Sequence, residues 1–291
     1  MFSISQTSRG MFCLEWSSTE DGPKIVNLNH LKSIKSFNNV EVISNIVSNF
    51  HFTIKNQSNS FSVTLDSESV LISSLNIDSK NINKSINWYE NEILGLDFLS
   101  NYYNYYYPLI CNNECLLISI PKLYKDNIIN SASNNNLNLI YLSIDIFSTS
   151  TLVKQLYIKN SQKDYIIWKI CNNNSHTLVV YNNDDIILYI KLKKKENEFI
   201  IDFHVGSEDY SNKIVSLLNT ILIHKSNNVN MENIFIYQTK ENKDTLKDII
   251  DLKIDSIKII DINLLIPQKS KDFYKFMPYL ENGISFKGLD L

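Results

Sequence analysis

The chain has 291 residues, with 28 Lys plus Arg against 31 Asp plus Glu and a formal charge of -3. Such a balance gives no net pull toward phosphate backbones and disfavours a dedicated nucleic-acid binder. With 44% hydrophobic and 20% charged residues the chain holds enough apolar surface for a sizeable core, which excludes a disordered polymer, and the length predicts two domains of mixed α/β class.

In chain order, 1–6 and 10–17 read as two strands around a polar turn, and 23–28 as a third, so the chain opens with a β-meander. Helical spacing of Val40, Val42, Ile43, Ile46 and Val47 predicts a helix over 39–50. Phe61, Val63 and Leu65 alternate with Ser and Thr, the pattern of a half-buried strand, and 70–77 reads as another. Ile86, Trp88, Tyr89, Ile93 and Leu94 predict an amphipathic helix over 83–95 that stops at Gly95. Strands follow at 102–109 and 115–120. The cluster Tyr102, Tyr103, Tyr105, Tyr106 and Tyr107 fits a strand with one wet face better than a stacking surface for bases or sugars, since no basic patch accompanies it. A helix at 122–132, a strand at 137–144 and a helix at 148–158 with Ser/Thr capping residues complete the first half.

After 160–163 the pattern starts again. Strands at 165–171, 177–181 and 186–192 form a second meander, joined by Asn-rich turns. A strand at 199–203, a helix at 210–224, a strand at 234–237, a helix at 244–252 and a strand at 257–260 follow, and the apolar tail 273–280 is expected to pack back on the body. Two halves that each open with a meander and continue with alternating helices and strands form a duplication, with any ligand crevice between them.

The chemistry-bearing residues exclude more than they assign. Gly10, Gly22, Gly95, Gly206, Gly283 and Gly288 stand far apart, so neither the dinucleotide-binding glycine turn nor the P-loop can be written. Cys111 and Cys115 are the only close cysteine pair; without a second pair or a paired-histidine motif they make no zinc site, and free thiols in a reducing compartment fit better than a disulfide scaffold. The start of the chain lacks the basic and apolar regions of a signal peptide, and no run approaches the roughly 18–20 apolar residues that span a bilayer. A cytoplasmic protein without membrane insertion is expected.

Residues 2–10 (Phe-Ser-Ile-Ser-Gln-Thr-Ser-Arg-Gly), continued by Leu14-Glu15-Trp16, can be laid without a gap on the L-G-I-D-I-G-S-S-S-x-K-x-V-E-L pattern of a family of type IV pilus assembly proteins. Phe61–Leu65 looks like that family's f-x-V-x-L-P strand, Ile86–Glu90 like a W-E helix in its inserted subdomain, Ile118–Pro121 like the strand leading into its next helix, and Phe276–Phe286 like its closing segment. On these matches the chain resembles the PilM family, related to the division protein FtsA, within the actin-like (ribonuclease H-like) superfamily. The resemblance implies a duplicated α/β fold of two lobes: a first lobe over 1–160 with an inserted subdomain at about 60–132, a second over 161–272, and a C-terminal helix over 273–291 returning to the first.

The resemblance also implies a clamp for ATP and Mg²⁺, and here the chain departs from it. The family orients metal-bound water with an Asp on each of two hairpins and cradles phosphate on glycine backbone. Ser5 and Thr7 stand for the first Asp and its Gly, Lys169 and Cys171 for the second pair, and Ile236–Thr239 lies where a glycine pair should meet the adenine. Lys cannot ligate Mg²⁺, although its ammonium can meet a phosphate directly. Remnant phosphate-loop positions are therefore Gln6, Thr7, Ser8, Lys169, Asn172, Asn173 and Ser175; as ordinary hairpin residues they hold no ligand, and as a remodelled site they would hold an anion. No metal and no cofactor are expected, with ATP kept as the one alternative.

The reading that follows is a non-catalytic, PilM-like scaffold of an inner-membrane type IV pilus or type II secretion-like assembly. It would be cytoplasmic and peripheral on the inner face of the membrane, through a PilN-like single-span partner whose short tail docks on the first lobe. The alternative is an actin-like ATPase or sugar-kinase-like enzyme with remodelled phosphate loops, for which Asp145 and Asp202, near strand ends, are candidate bases.

Overall fold

A computed structural model describes residues 2–19, 22–50, 59–109, 113–156, 164–172, 174–183, 185–196, 198–222, 233–239, 249–250, 258–262 and 281. The first lobe is built around β1 (Phe2–Thr7), all six residues of which are buried. It pairs antiparallel with β2 (Gly10–Thr19), from Phe2 opposite Glu15 to Thr7 opposite Gly10, and parallel with β4 (Ser60–Leu65). With β3 (Gly22–Leu31) and β8 (Asn138–Ile144) the sheet order is β3-β2-β1-β4-β8.

The second lobe repeats that plan. Strands β9 (Tyr165–Asn172), β10 (Ser175–Asn182) and β11 (Asp185–Lys195) form the meander, β13 (Asn233–Gln238) runs parallel to β9, and β14 (Lys258–Asp261) parallel to β13. The order β11-β10-β9-β13-β14 reproduces the first sheet, and β12 (Glu198–Gly206) extends it beyond β11. The meander thus has four strands instead of three: the alternation near 199–203 belongs to an antiparallel partner of β11.

Helices α1 (Val42–Asn49) and α4 (Lys122–Asn134) pack together in the first lobe, where the backbone N–H groups of Ile43 and Ser44 both donate to Ser131 Oγ. In the second lobe α6 (Glu208–Leu222) lays Ile214, Leu217 and Leu218 on the face of β9 that carries Ile166, Trp168 and Ile170. Between the sheets runs α5 (Asp145–Leu156). Its Ile146, Leu152 and Val153 join Tyr165, Ile167, Val179 and Tyr189 of the second lobe in the cluster that also holds Phe2, Ile4 and Val63 of the first. One core therefore crosses the lobe boundary.

Several expectations change. Strand β4 is buried on both faces, since it lies between β1 and β8 and its polar face meets α5, where Thr64 Oγ1 donates to Ser148 Oγ at 3.0 Å. As a central strand of the first sheet it cannot belong to the inserted subdomain, which opens after Leu65 and not at about 60. Helix α5 begins at Asp145, and Ser148–Thr151 are buried in its body, small enough to let it approach both sheets. The helix expected over 83–95 divides into α2 (Ile82–Tyr89) and a π-helix over Glu90–Leu94, followed by α3 (Gly95–Asn101).

The insertion is a sheet of order β5-β7-β6, made of β5 (Leu71–Asn76), β6 (Tyr102–Leu109) and β7 (Glu114–Pro121). Both its faces are covered. Cys115 and Leu117 pack under Ile82, Tyr89 and Leu94, while Leu116, Ile118 and Ile120 face the main core. Of the β6 tyrosines, Tyr102, Tyr103, Tyr105 and Tyr106 are half-buried and Tyr107 is exposed; Tyr106 donates to Glu90 Oε1, and Lys125 lies 4.4 Å from the Tyr103 ring centroid. The expected helix over 244–252, apart from 249–250, and the tail 273–280 lie outside the described residues.

Candidate functional site

The two hairpins, the 66–69 turn and the start of α5 meet between the lobes. At the first hairpin, Thr7 Oγ1 donates to Gly10 O at 2.9 Å and accepts from Arg9 N at 3.2 Å, so the turn closes on its own side chain. Gln6 ties the hairpin to two connections, donating through Nε2 to Lys35 O at 3.1 Å and accepting at Oε1 from Ser69 Oγ at 3.0 Å. Ser8 is exposed at the turn. In the second hairpin Asn172 ends β9 and Ser175 opens β10, with Asn174 O accepting from Lys194 N; Asn173 lies outside the described residues.

Lys169 lies elsewhere than a solvent-facing phosphate position. Its alternation with Tyr165 and Ile167 on β9 turns it toward α5 and the first lobe, where it is 4% exposed. Nζ is 2.6 Å from Asp145 Oδ2 and 2.8 Å from Glu281 Oε1. Asp145 begins α5; its Oδ1 accepts from Ile146 N at 2.6 Å, and its Oδ2 also accepts from Ser67 N at 2.8 Å. Tyr237 Oη donates to Glu281 Oε1 at 3.3 Å. The turn 66–69 links the two loops, since Ser67 bonds Asp145 while Ser69 bonds Gln6.

Charge explains the protonation of this cluster. One ammonium faces the buried carboxyls of Asp145 and Glu281 and, farther out, that of the half-buried Asp66. Burial by itself would strip Lys169 of its proton, but Asp145 and Glu281 outweigh it and hold the ammonium well above its ordinary value. Burial also opposes ionisation of Asp145, yet Lys169 and the Ser67 contacts keep it below the usual carboxylate range. Burial pushes Glu281 up to about 8, helped by repulsion from Asp145 and Asp66 against the attraction of Lys169, and it raises Asp66 as well. The cluster therefore carries Lys169⁺ and Asp145⁻, and Glu281 holds its proton more tightly than a free carboxyl does.

This donor set does not fit the Mg²⁺–ATP that the fold resemblance implies. Mg²⁺ demands oxygen ligands in near-octahedral array, and the position of the second-hairpin Asp carries an ammonium already bound to two carboxyls. Asp145 is no better placed as a base, because both its oxygens accept hydrogen bonds from protein donors. Asp202 is remote from the cluster's bonds and pairs with Lys193 between β11 and β12, both partly exposed. Among the described residues no group of three or more His, Cys, Asp or Glu is arranged to hold a metal; Cys115 is buried, and Cys111 lies outside the described residues.

Sequence reasoning singles out Lys169 and Asp145 separately, and the structure joins them. In the sequence Glu281 stands out only as part of the closing segment, and Ser67 and Ser69 do not stand out at all; the acid in an otherwise apolar and small-residue closing stretch is the one available signal. At the far strand, Thr239 Oγ1 lies 3.2 Å from Cys171 O, and the buried amide of Gln238 has no hydrogen bond among the described residues.

No family model matches the chain, and no curated protein matches it in sequence. Among solved structures, the chain is similar to one described as the PilM-PilN type IV pilus biogenesis complex, with a TM-score of 0.62 and 8% identity over 100% of this chain and 98% of that one. A Bacteroides thetaiotaomicron protein described as having an actin-like ATPase fold and unknown function aligns at a TM-score of 0.48 and 12% identity over 91% of each chain. The cytoplasmic domain of EpsL, an inner membrane component of the Vibrio cholerae type II secretion system, aligns at 0.46 and 7% over 100% of this chain and 94% of that one. At such identities the likeness concerns architecture alone. Together with the repeated strand order and the insertion between β4 and β8, it establishes that the chain has the actin-like ATPase fold.

Proposed function

We propose that this chain is a non-catalytic, PilM-like scaffold that binds the cytoplasmic tail of a single-span membrane partner in a type IV pilus or type II secretion-like assembly. The observation that carries the non-catalytic part is the Asp145–Lys169–Glu281 cluster, in which a lysine ammonium buried against two carboxyls fills the position of the second-hairpin Asp. An ammonium has no open coordination position, so it neither holds an attacking water nor bridges phosphate oxygens as a metal does. The fold likeness to the PilM-PilN complex supports the scaffold part. No helix among the described residues is long and apolar enough to cross a membrane.

Two measurements test the reading separately. Titration calorimetry with ATP and ADP at millimolar concentration, with Mg²⁺, is expected to give no saturable heat; saturable binding overturns the non-catalytic part. Affinity purification of the tagged chain from its native membranes is expected to recover one single-span protein in stoichiometric amount, and recovery of none overturns the scaffold part.

A further inference from the structure

The helical arm of the inserted subdomain covers its own sheet with one face and leaves the other bare. Inward, Ile82, Tyr89 and Leu94 pack on the β5–β7 cluster. Away from it, Trp88, Ile93 and Leu96 are 59%, 56% and 83% exposed, whereas Trp16 and Trp168 are fully buried. Large apolar side chains gathered on one short exposed element mark interaction sites more often than chance exposure does. The backbone adds an independent sign. A π-helix over Glu90–Leu94 interrupts the arm, and such insertions are rare and concentrate at functional positions.

Charge decides what fits. Between residues 82 and 101 the sequence holds Glu90, Glu92 and Asp97 but only Lys84 as a cation. Glu90 is engaged by Tyr106, while Glu92 and Asp97 are exposed beside the apolar residues. An acidic rim repels an anionic lipid surface and attracts Lys and Arg. Trp88, Ile93 and Leu96 fall on α2, the π-helix and α3 in turn, with Gly95 at φ +73° between the last two, so the apolar ridge runs across three short segments and suits the i, i+3/i+4 and i+7 anchors of a docked amphipathic helix.

We propose that the Trp88–Ile93–Leu96 ridge is a docking surface for a short amphipathic helix of a partner protein whose apolar stripe is flanked by Lys and Arg. The assignment holds whether or not that partner spans a membrane, and so stands apart from the function proposed above.

Trp88 provides the readout, because the other two tryptophans are shielded from solvent. The full chain is titrated with a Trp-free Leu/Lys amphipathic helical peptide of about 18 residues and with its Leu/Glu counterpart, in about 0.1 M salt so that weak surface charge effects are screened. The expected result is a saturable blue shift of Trp88 emission and protection from acrylamide with the Leu/Lys peptide, and binding at least about tenfold weaker with the Leu/Glu peptide. Ile93→Ser with Leu96→Ser should abolish the shift, and Glu92→Lys with Asp97→Lys should weaken it by about tenfold or more. These positions are exposed, so unchanged circular dichroism and melting will show that the variants fold. Equal binding of the two peptides, or Leu/Lys binding indifferent to Ile93→Ser/Leu96→Ser, overturns the proposal. So does stronger Trp88 protection by anionic phosphatidylglycerol vesicles, or sedimentation showing that a second copy already covers Trp88.

Discussion

Lys169 Nζ and Asp145 Oδ2 are 2.6 Å apart, their side chains 5% and 1% exposed, and they come from different lobes, Lys169 from the first strand of the second meander and Asp145 from the helix that links the two sheets. Glu281, near the end of the chain, closes on the same ammonium. Three distant parts of the sequence thus meet at one charge. Ion pairs this deep lose most of their attraction to desolvation, so their consequence lies less in net stability than in what happens when one member is removed.

Replacing Lys169 by Met leaves Asp145 and Glu281 facing each other and Asp66 without a counter-charge. Removing one partner of a buried pair typically costs about 3–5 kcal/mol, and urea denaturation of Lys169→Met should show a loss of that order. Neutralising the acids as well, in Lys169→Met/Asp145→Asn/Glu281→Gln, should recover a large part of it. A triple variant no more stable than the single one would mean that the cluster is not governed by charge compensation.

The pH dependence has a definite sign. The carboxyl of Glu281 is raised from 4.5 to about 8, so the folded state holds its proton more tightly than the unfolded chain does. Its contribution is fully present below about pH 4.5 and is lost as the pH rises through about 8. Asp145, which is lowered, acts in the opposite sense at acid pH: its contribution is present above its ordinary 3.8 and is lost as pH falls below that value. The unfolding free energy should therefore decline between about pH 5 and 8.5 by a few kcal/mol, since every tenfold difference in proton affinity between the folded and unfolded states corresponds to about 1.4 kcal/mol. Glu281→Gln should flatten that decline and leave the acid limb in place. An alkaline limb of equal slope in wild type and Glu281→Gln would remove Glu281 as its cause.

The duplication was legible in the sequence because it is written in local pattern. The alternation of Phe2–Thr7 and the apolar run of Tyr165–Cys171, each followed by a polar turn and a second strand-like run, identify a meander whatever its partners. Burial of β4 was not legible, because Ser62 and Thr64 look solvent-facing until α5 is laid on them, and α5 is placed by tertiary packing. The same holds for the site. Lys169 was conspicuous as a departure from the actin-like pattern, but Glu281 lies 112 residues away along the chain, and no local rule pairs them. The π-turn at Glu90–Leu94 escaped for a related reason: Ile86, Trp88, Tyr89, Ile93 and Leu94 read as one face of a regular helix, whereas Tyr89 and Leu94 pack inward and Trp88 and Ile93 are exposed.

Two glycines with positive φ separate backbone strain from crowding. Gly10, at φ +127°, would place a Cβ 2.4 Å from Leu31 O, while Gly95, at φ +73°, has nothing within 4 Å of that position. Gly95→Ala should lose only the backbone penalty of a conformation that is essentially glycine's alone (φ +73°, ψ 168°), about 1–3 kcal/mol. Gly10→Ala adds a collision with backbone that cannot step aside without shifting the β2–β3 pairing, and should lose more, about 3 kcal/mol or above when strain and displacement combine. Thermal unfolding of the two variants side by side checks the order, and a Gly95→Ala loss equal to that of Gly10→Ala would contradict it.

Glu114 reaches from the inserted subdomain to the second lobe, its Oε2 accepting from Gly206 N at 2.6 Å. Gly206 ends β12 at φ +122°, where an added Cβ would lie 2.7 Å from Ile187 O. Glu114→Ala strands that partly buried donor, at a cost of about 1–3 kcal/mol. Because the bond joins the insertion to the lobe opposite, the loss should appear as faster hydrogen exchange in β5–β7 and at Gly206, with little change at β1 and β4. Glu114→Gln keeps an acceptor oxygen at the same reach and should restore most of the protection. Uniform acceleration across both lobes would mean that Glu114 acts on global stability and not as a tie between insertion and second lobe.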